Sequence, residues 1–171
     1  MKHKSVKQIA QYGCLLAFAM IVSYVEAMIP FYFGIPGAKL GLANSVIVLC
    51  LYLFGAAPAL LINIARVILT GILFSNAYSI LYSLAGATLS FIIMILLKKI
   101  KSFSMIGISI AGGVAHNIGQ LLIAFLITEI PVLFYYIPVL LVLGTVTGLL
   151  NGSLAKLIFN KIDKMINGKS L

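Results

Sequence analysis

The stretch LGLANSVIVLCLYLFGAAPALLINIARVILTGILFSNAYSILYSLAGATLSFIIMILL, Leu40 to Leu97, carries one charged side chain, Arg66, in 58 residues. Crossing about 30 Å of hydrocarbon takes roughly 20 helical residues, so this run is too long for one crossing and fits three. Gly55-Ala56-Ala57-Pro58 and Ser75-Asn76 supply the turns. Lys39 precedes the run and Lys98 follows it. An odd number of crossings places those two lysines on opposite sides of a bilayer.

The rest of the chain agrees with this reading. Of 171 residues, 63% are hydrophobic and 9% charged, with a mean hydropathy of +1.19. A soluble chain carries about 25% charged residues to cover its surface. The apolar runs do not alternate with polar residues, which excludes a membrane β-barrel. The expected fold is an all-α integral membrane protein of one domain, residues 1–171. Its spans are expected at 8–29, 40–55, 57–74, 77–97, 103–127 and 132–155, followed by a basic tail over 156–171.

Charge position fixes the expected orientation. Ten of the twelve basic residues fall in three clusters: Lys2, Lys4 and Lys7; Lys98, Lys99 and Lys101; Lys156, Lys161, Lys164 and Lys169. The positive-inside rule puts all three in the cytoplasm, with both termini. Clustered beside spans in this way, the net charge of +9 speaks for bilayer topology and not for nucleic acid. Ala17-Phe18-Ala19 imitates a signal-peptide cleavage site, but the apolar run continues past it, and cleavage would spoil the parity.

Arg66 is thereby trapped near mid-membrane, about 12 Å from either interface at 1.5 Å per residue, which is beyond comfortable snorkelling. Asn63, Arg66 and Thr70, spaced by three and four, share a helix face. His116 and Gln120 do the same on the fifth helix, with Asn117 beside them. Polar side chains at that depth face the interior, so the expected pocket holds Glu26, Lys39, Asn44, Asn63, Arg66, His116, Asn117 and Gln120 and opens outward. Met28 to Asn44, with Pro30, Pro36, Gly34 and Gly37, forms a constrained loop over it. Lys39 and the helix N-terminus after Gly37 would suit an anion; an aromatic interface belt with a snorkelling lysine is the alternative. Arg66 could equally pair with Glu26 or with backbone carbonyls, and His116 and Gln120 could serve helix association.

Small residues stripe two helices. Gly13 and Ala17, then Ala19 and Ser23, recur at intervals of four on the first, and Gly144, Gly148 and Gly152 on the sixth. Such stripes let helices approach closely; the first is a candidate for docking another membrane subunit. Cys14 and Cys50 read as small buried residues, with neither disulfide nor metal implied. Catalysis has little to stand on. There is no phosphate-binding G-x-x-x-x-G-K-[ST] motif, and the acidic residues are Glu26, Glu129 and Asp163 alone, whereas Mg²⁺-diphosphate chemistry wants several carboxylates together. No catalytic residue, cofactor or metal is expected.

Three motifs, Pro36-Gly-Ala-Lys-Leu-Gly-Leu-Ala-Asn44, Asn63-Ile-Ala-Arg66-Val-Ile-Leu-Thr70-Gly and Gly113-Val-Ala-His116-Asn117-Ile-Gly-Gln120, resemble the bacterial Gx transporter family, also called heptaprenyl diphosphate synthase component I. The resemblance covers nearly the whole chain. That family in turn looks like the substrate-binding S components of energy-coupling factor (ECF) transporters. This implies a multi-pass protein of the bacterial cytoplasmic membrane that captures a small molecule from outside and relies on a separate T component and ATPases. S components commonly dock through Ala-x-x-x-Ala on the first helix, of which Gly13/Ala17 and Ala19/Ser23 are a variant.

The leading expectation is thus an uptake subunit for a small, anionic, partly apolar metabolite. The alternative is a non-catalytic membrane subunit of heptaprenyl diphosphate synthase, partnered by a soluble, aspartate-rich catalytic subunit. An autonomous ion-coupled transporter is disfavoured, because no carboxylate sits at mid-depth.

Overall fold

The computed structural model describes residues 6–28, 41–100 and 102–167. Every regular element among them is helical. These are α1 (Val6–Met28), α2 (Asn44–Leu53), α3 (Ala56–Phe74), α4 (Ala77–Lys99), α5 (Met105–Thr128), a 3₁₀ segment at Pro131–Tyr136, and α6 (Ile137–Asn167). Five of the helices, all but α2, are long and apolar enough to cross a membrane.

The breaks have local chemical causes. Gly55 sits at φ 87°, a left-handed conformation that ends α2 and starts α3. The Asn76 side chain accepts the Ser79 N–H at 2.9 Å, capping α4, and Ser104 accepts the Gly107 N–H at 3.1 Å, capping α5. At the other end of α5, Glu129 takes a left-handed φ of 54°, and Pro131 then opens the 3₁₀ segment.

The second helix differs from the expected span at 40–55. Its 10 residues rise about 15 Å, half the hydrocarbon thickness. Gly41, at φ 78°, precedes a tight turn in which Asn44 N donates to Gly41 O at 2.9 Å, so regular helix begins only at Asn44. What α2 loses in length it gains in burial. It packs against α1, α3, α5 and α6, and Val46, Ile47, Val48, Leu49, Cys50 and Leu51 form the centre of the main apolar core. A helix apolar on all sides is what an element enclosed by others requires.

The sixth helix also departs from expectation. It starts at Ile137 and runs through Lys156, Lys161 and Lys164 to Asn167, so the tail expected over 156–171 is helical as far as that residue. Its 31 residues rise about 46 Å and outrun the hydrocarbon.

Contacts along the helices set their directions. The Tyr12 and Phe54 rings meet at 5.1 Å and the Tyr52 and Phe159 rings at 6.1 Å, while Lys98 Nζ donates to Leu51 O at 2.5 Å. The N-terminal half of α1, the C-terminus of α2, the C-terminus of α4 and the C-terminal part of α6 therefore converge. One end of the bundle gathers Lys7, Lys98, Lys99, Lys156, Lys161 and Lys164.

Glycine contacts bring the later helices together. A Cβ built on Gly148 would lie 2.6 Å from Ile110 Cα, and one on Gly144 2.7 Å from Val114 Cα. The stripe of Gly144, Gly148 and Gly152 thus faces α5 within this chain. On α1, Ala19 and Ser23 are buried, whereas Gly13 and Ala17 are exposed. Of the four residues expected to dock a partner, Ala19 and Ser23 are therefore already covered within the chain. Cys50 is buried as expected, but Cys14 is exposed on α1, because that helix covers the bundle with one face only.

Candidate functional site

The polar residues gather around the turn that precedes α2. Glu26, near the end of α1, accepts the Gly41 N–H at 2.5 Å and the Leu42 N–H at 3.2 Å. Two backbone amides at a helix start are natural partners for a carboxylate. The Gly41 carbonyl accepts from Asn151 Nδ2 on α6 at 2.9 Å. His116 closes the other side: a Cβ on Gly41 would lie 3.2 Å from His116 Cδ2 and 2.9 Å from Asn44 Nδ2. Gly41 is accordingly enclosed by α1, α2, α5 and α6, and only the smallest residue fits.

Arg66 forms the second half of the centre. One terminal nitrogen donates to Ser23 Oγ on α1 at 3.2 Å, the other to Asn63 Oδ1 at 2.8 Å. Asn63 Nδ2 reaches the Ala87 carbonyl on α4 at 3.5 Å, and Thr70 Oγ1 donates back to Arg66 O at 2.7 Å. Glu26 acts on the guanidinium electrostatically and supplies the compensating charge that a buried cation needs. Both residues are only 6% exposed. Arg66 Nε and Asn44 Nδ2 are buried donors with no hydrogen-bond partner among the described residues.

On α5 the Gln120 amide nitrogen lies 3.1 Å from His116 Nε2, a geometry in which the amide donates and the ring accepts. A Cβ on Gly86 of α4 would lie 2.9 Å from both His116 Nδ1 and Gln120 Cγ, so that glycine admits the pair. Asn117 turns elsewhere and donates to the Leu140 carbonyl of α6 at 2.9 Å.

Of the residues expected to share a site, Glu26, Asn44 and His116 meet at Gly41. Arg66 and Asn63 join them through Glu26 and Ser23, Gln120 follows His116, and Asn117 stands apart as an α5–α6 tie. Lys39 and the loop at Met28–Leu40, apart from Met28, lie outside the described residues. Sequence reasoning missed Gly41 and Asn151 and read Ser23 as part of a docking stripe. Asn151 is buried on α6 four residues from buried Thr147, a polar helical spacing of the kind that singled out Asn63 beside Arg66 and Thr70.

Cavities among the described residues lie elsewhere. A groove of about 560 Å³ runs between α4 and α5, lined by apolar side chains from Leu81 to Ile92 and Leu122 to Leu126 with Thr88 and Gly119. A second, of about 290 Å³, is lined by Leu51, Ala56, Ile95, Lys98 and Lys99.

Together these features define a helical, multi-pass membrane protein built around a buried, charge-compensated polar centre. The family described as heptaprenyl diphosphate synthase component I matches residues 15–158, the greater part of the chain and all the described site residues. The chain belongs to that family. No curated protein and no solved structure matches it.

Proposed function

We propose that this chain is a non-catalytic, membrane-embedded component of a heptaprenyl diphosphate synthase, with chemistry supplied by a separate soluble subunit. The family match over residues 15–158 carries the reading. The carboxylates argue the same way. Diphosphate transfer with Mg²⁺ needs several acidic ligands in one site; this chain has three acidic residues, and Glu26 is committed to the Gly41 and Leu42 amides. The component would hold the catalytic subunit at the surface where an increasingly apolar product must leave water. It would sit in the bacterial cytoplasmic membrane with α2 as a return crossing, six crossings in all, and the lysine-rich end and both termini in the cytoplasm.

The test is purification of the tagged chain from its native membrane in mild detergent, with its partners identified by mass spectrometry. An aspartate-rich prenyl synthase should co-purify, and its prenyl diphosphate output should fall when this chain is withdrawn. A synthase that works equally well alone would overturn the reading.

A second reading, uptake of a small anionic metabolite with an ECF-type T component and ATPases, is favoured by one observation. Arg66 Nε and Asn44 Nδ2, two buried donors, lack acceptors among the described residues, and an oxyanion would supply them. Recovery of two ATPases and a membrane T component in the same purification would decide for it.

A further inference from the structure

The cavity at the lysine-rich end has a chemistry that the polar centre does not use. Among the described residues its walls are Leu51, Ala56 and Ile95, and its polar groups are the ammonium ions of Lys98 and Lys99, with no carboxylate in the lining. Lys98 is held in place: its Nζ donates to Leu51 O at 2.5 Å and lies 4.5 Å from the Tyr52 ring centroid. That contact caps the C-terminus of α2 and adds a cation–π interaction, yet an ammonium has three donors, so one remains beyond the carbonyl and the ring. Lys99, next along α4, is exposed and needs no rearrangement to reach a ligand. At about 290 Å³, the space is at the lower limit of small-molecule pockets. That suits a headgroup and the first carbons of a chain better than a whole lipid. Ile92 and Leu96 of the same helix, with Ile100 at its C-cap, are exposed and offer an apolar path away from it.

We infer that this cavity binds the phosphate headgroup of an anionic amphiphile, with Lys98 and Lys99 on the phosphate and Leu51, Ala56 and Ile95 around the first carbons. Basic pockets between helices at a cytoplasmic interface take phosphate headgroups in this way. The headgroup chemistry is common to an anionic phospholipid and to a prenyl diphosphate. The inference does not depend on the synthase reading, although its prenyl diphosphate form would extend that reading to a hand-over site.

The experiment uses the full chain in zwitterionic phosphatidylcholine nanodiscs. Binding of phosphatidylglycerol and of farnesyl diphosphate is measured separately, for the wild type and for Lys98→Gln, Lys99→Gln and Lys99→Arg. Lys161→Gln and Lys164→Gln serve as controls of equal charge change. At about 1 kcal/mol per lysine, each glutamine variant in the cavity should weaken binding of at least one amphiphile roughly fivefold. Lys99→Arg and the two controls should stay near wild type. Lys99→Gln keeps the test sound if Lys98→Gln unfolds through loss of the α2 cap. Loss with phosphatidylglycerol only identifies a lipid site; loss with farnesyl diphosphate identifies a prenyl diphosphate site. Equal weakening in cavity and control variants, or none in either, overturns the inference. Synthase association is read by co-purification, so failure of one idea does not imitate failure of the other.

Discussion

Asn151 donates its side-chain amide to the Gly41 carbonyl at 2.9 Å, across 110 positions of sequence. The bond ties the middle of α6 to the turn that starts α2, the shortest and most enclosed helix. Glu26 holds the same turn from α1 through the Gly41 N–H. The amide and carbonyl of one glycine thus link the first, second and last helices, and Gly41 is a keystone of the bundle as well as part of its polar centre.

Gly41→Ala should therefore be costly. A left-handed alanine costs about 1–2 kcal/mol by backbone sterics alone, and its Cβ would also press on Asn44 and His116. Asn151→Ala should cost less, about 1 kcal/mol, because Asn44 N still donates to the same carbonyl. Thermal unfolding in detergent should rank wild type, Asn151→Ala and Gly41→Ala in falling stability; the reverse order of the two variants would refute this view of the turn.

Two glycines with the same sequence signature should respond in opposite ways. Gly148→Leu forces a side chain against the Ile110 backbone and should destabilise by about 1–3 kcal/mol or more. A Cβ on Gly13 meets nothing within 4 Å, so Gly13→Leu should leave the melting temperature unchanged. If Gly13→Leu also lowers recovery of a membrane partner, the exposed Gly13/Ala17 edge docks that partner; equal sensitivity of both glycines to thermal unfolding would contradict the packing described.

Helical membrane character was legible because bilayer thickness and backbone satisfaction leave an apolar chain few options. The α3–α4 break was legible too, since Asn76 is a cap. The truncation of α2 was not. It depends on the left-handed Gly41 and on a carboxylate fifteen residues upstream, and an apolar run looks alike whether it meets lipid or other helices. Helical spacing paired Asn63 with Arg66 and His116 with Gln120, and the structure has both pairs in hydrogen-bond contact. It could not tell which helix each would face: Asn117, beside His116 in sequence, donates to the Leu140 carbonyl of α6. Ser23, read from its spacing as part of a small-residue stripe, is also the acceptor for Arg66, because serine is both a small residue and a hydrogen-bond partner.

Glu26 and Arg66 should be energetically coupled. Removing one member of a buried charge pair costs about 3–5 kcal/mol, because the other is left uncompensated. Glu26→Gln and Arg66→Met should each be strongly destabilising, while the double variant should be less so than the sum, by about 0.5–3 kcal/mol. Additive effects would dissociate the two residues. The Arg66 guanidinium joins α3 to α1 through Ser23 and is braced within α3 by Asn63, so its removal also costs packing. Arg66→Lys keeps the charge but cannot reproduce both bonds from a planar fork, and should fall between wild type and Arg66→Met.

The gathered lysines make a prediction about sidedness that a five-crossing chain would fail. The ring contacts Tyr12–Phe54 and Tyr52–Phe159 place the N-terminal half of α1 and the C-terminal part of α6 at one end of the bundle. Single cysteines introduced as Lys7→Cys, Lys99→Cys and Lys161→Cys, with Cys14 and Cys50 replaced by serine, should therefore share accessibility. All three should resist a membrane-impermeant maleimide in intact cells and react in inverted vesicles. Tyr135→Cys, exposed in the 3₁₀ segment between the far ends of α5 and α6, should show the opposite pattern. Five long helices without α2 as a return crossing would instead put Lys7 and Lys161 on opposite faces. Labelling of one of them from outside would reject six crossings, since the lysine-rich end could not then face a single compartment.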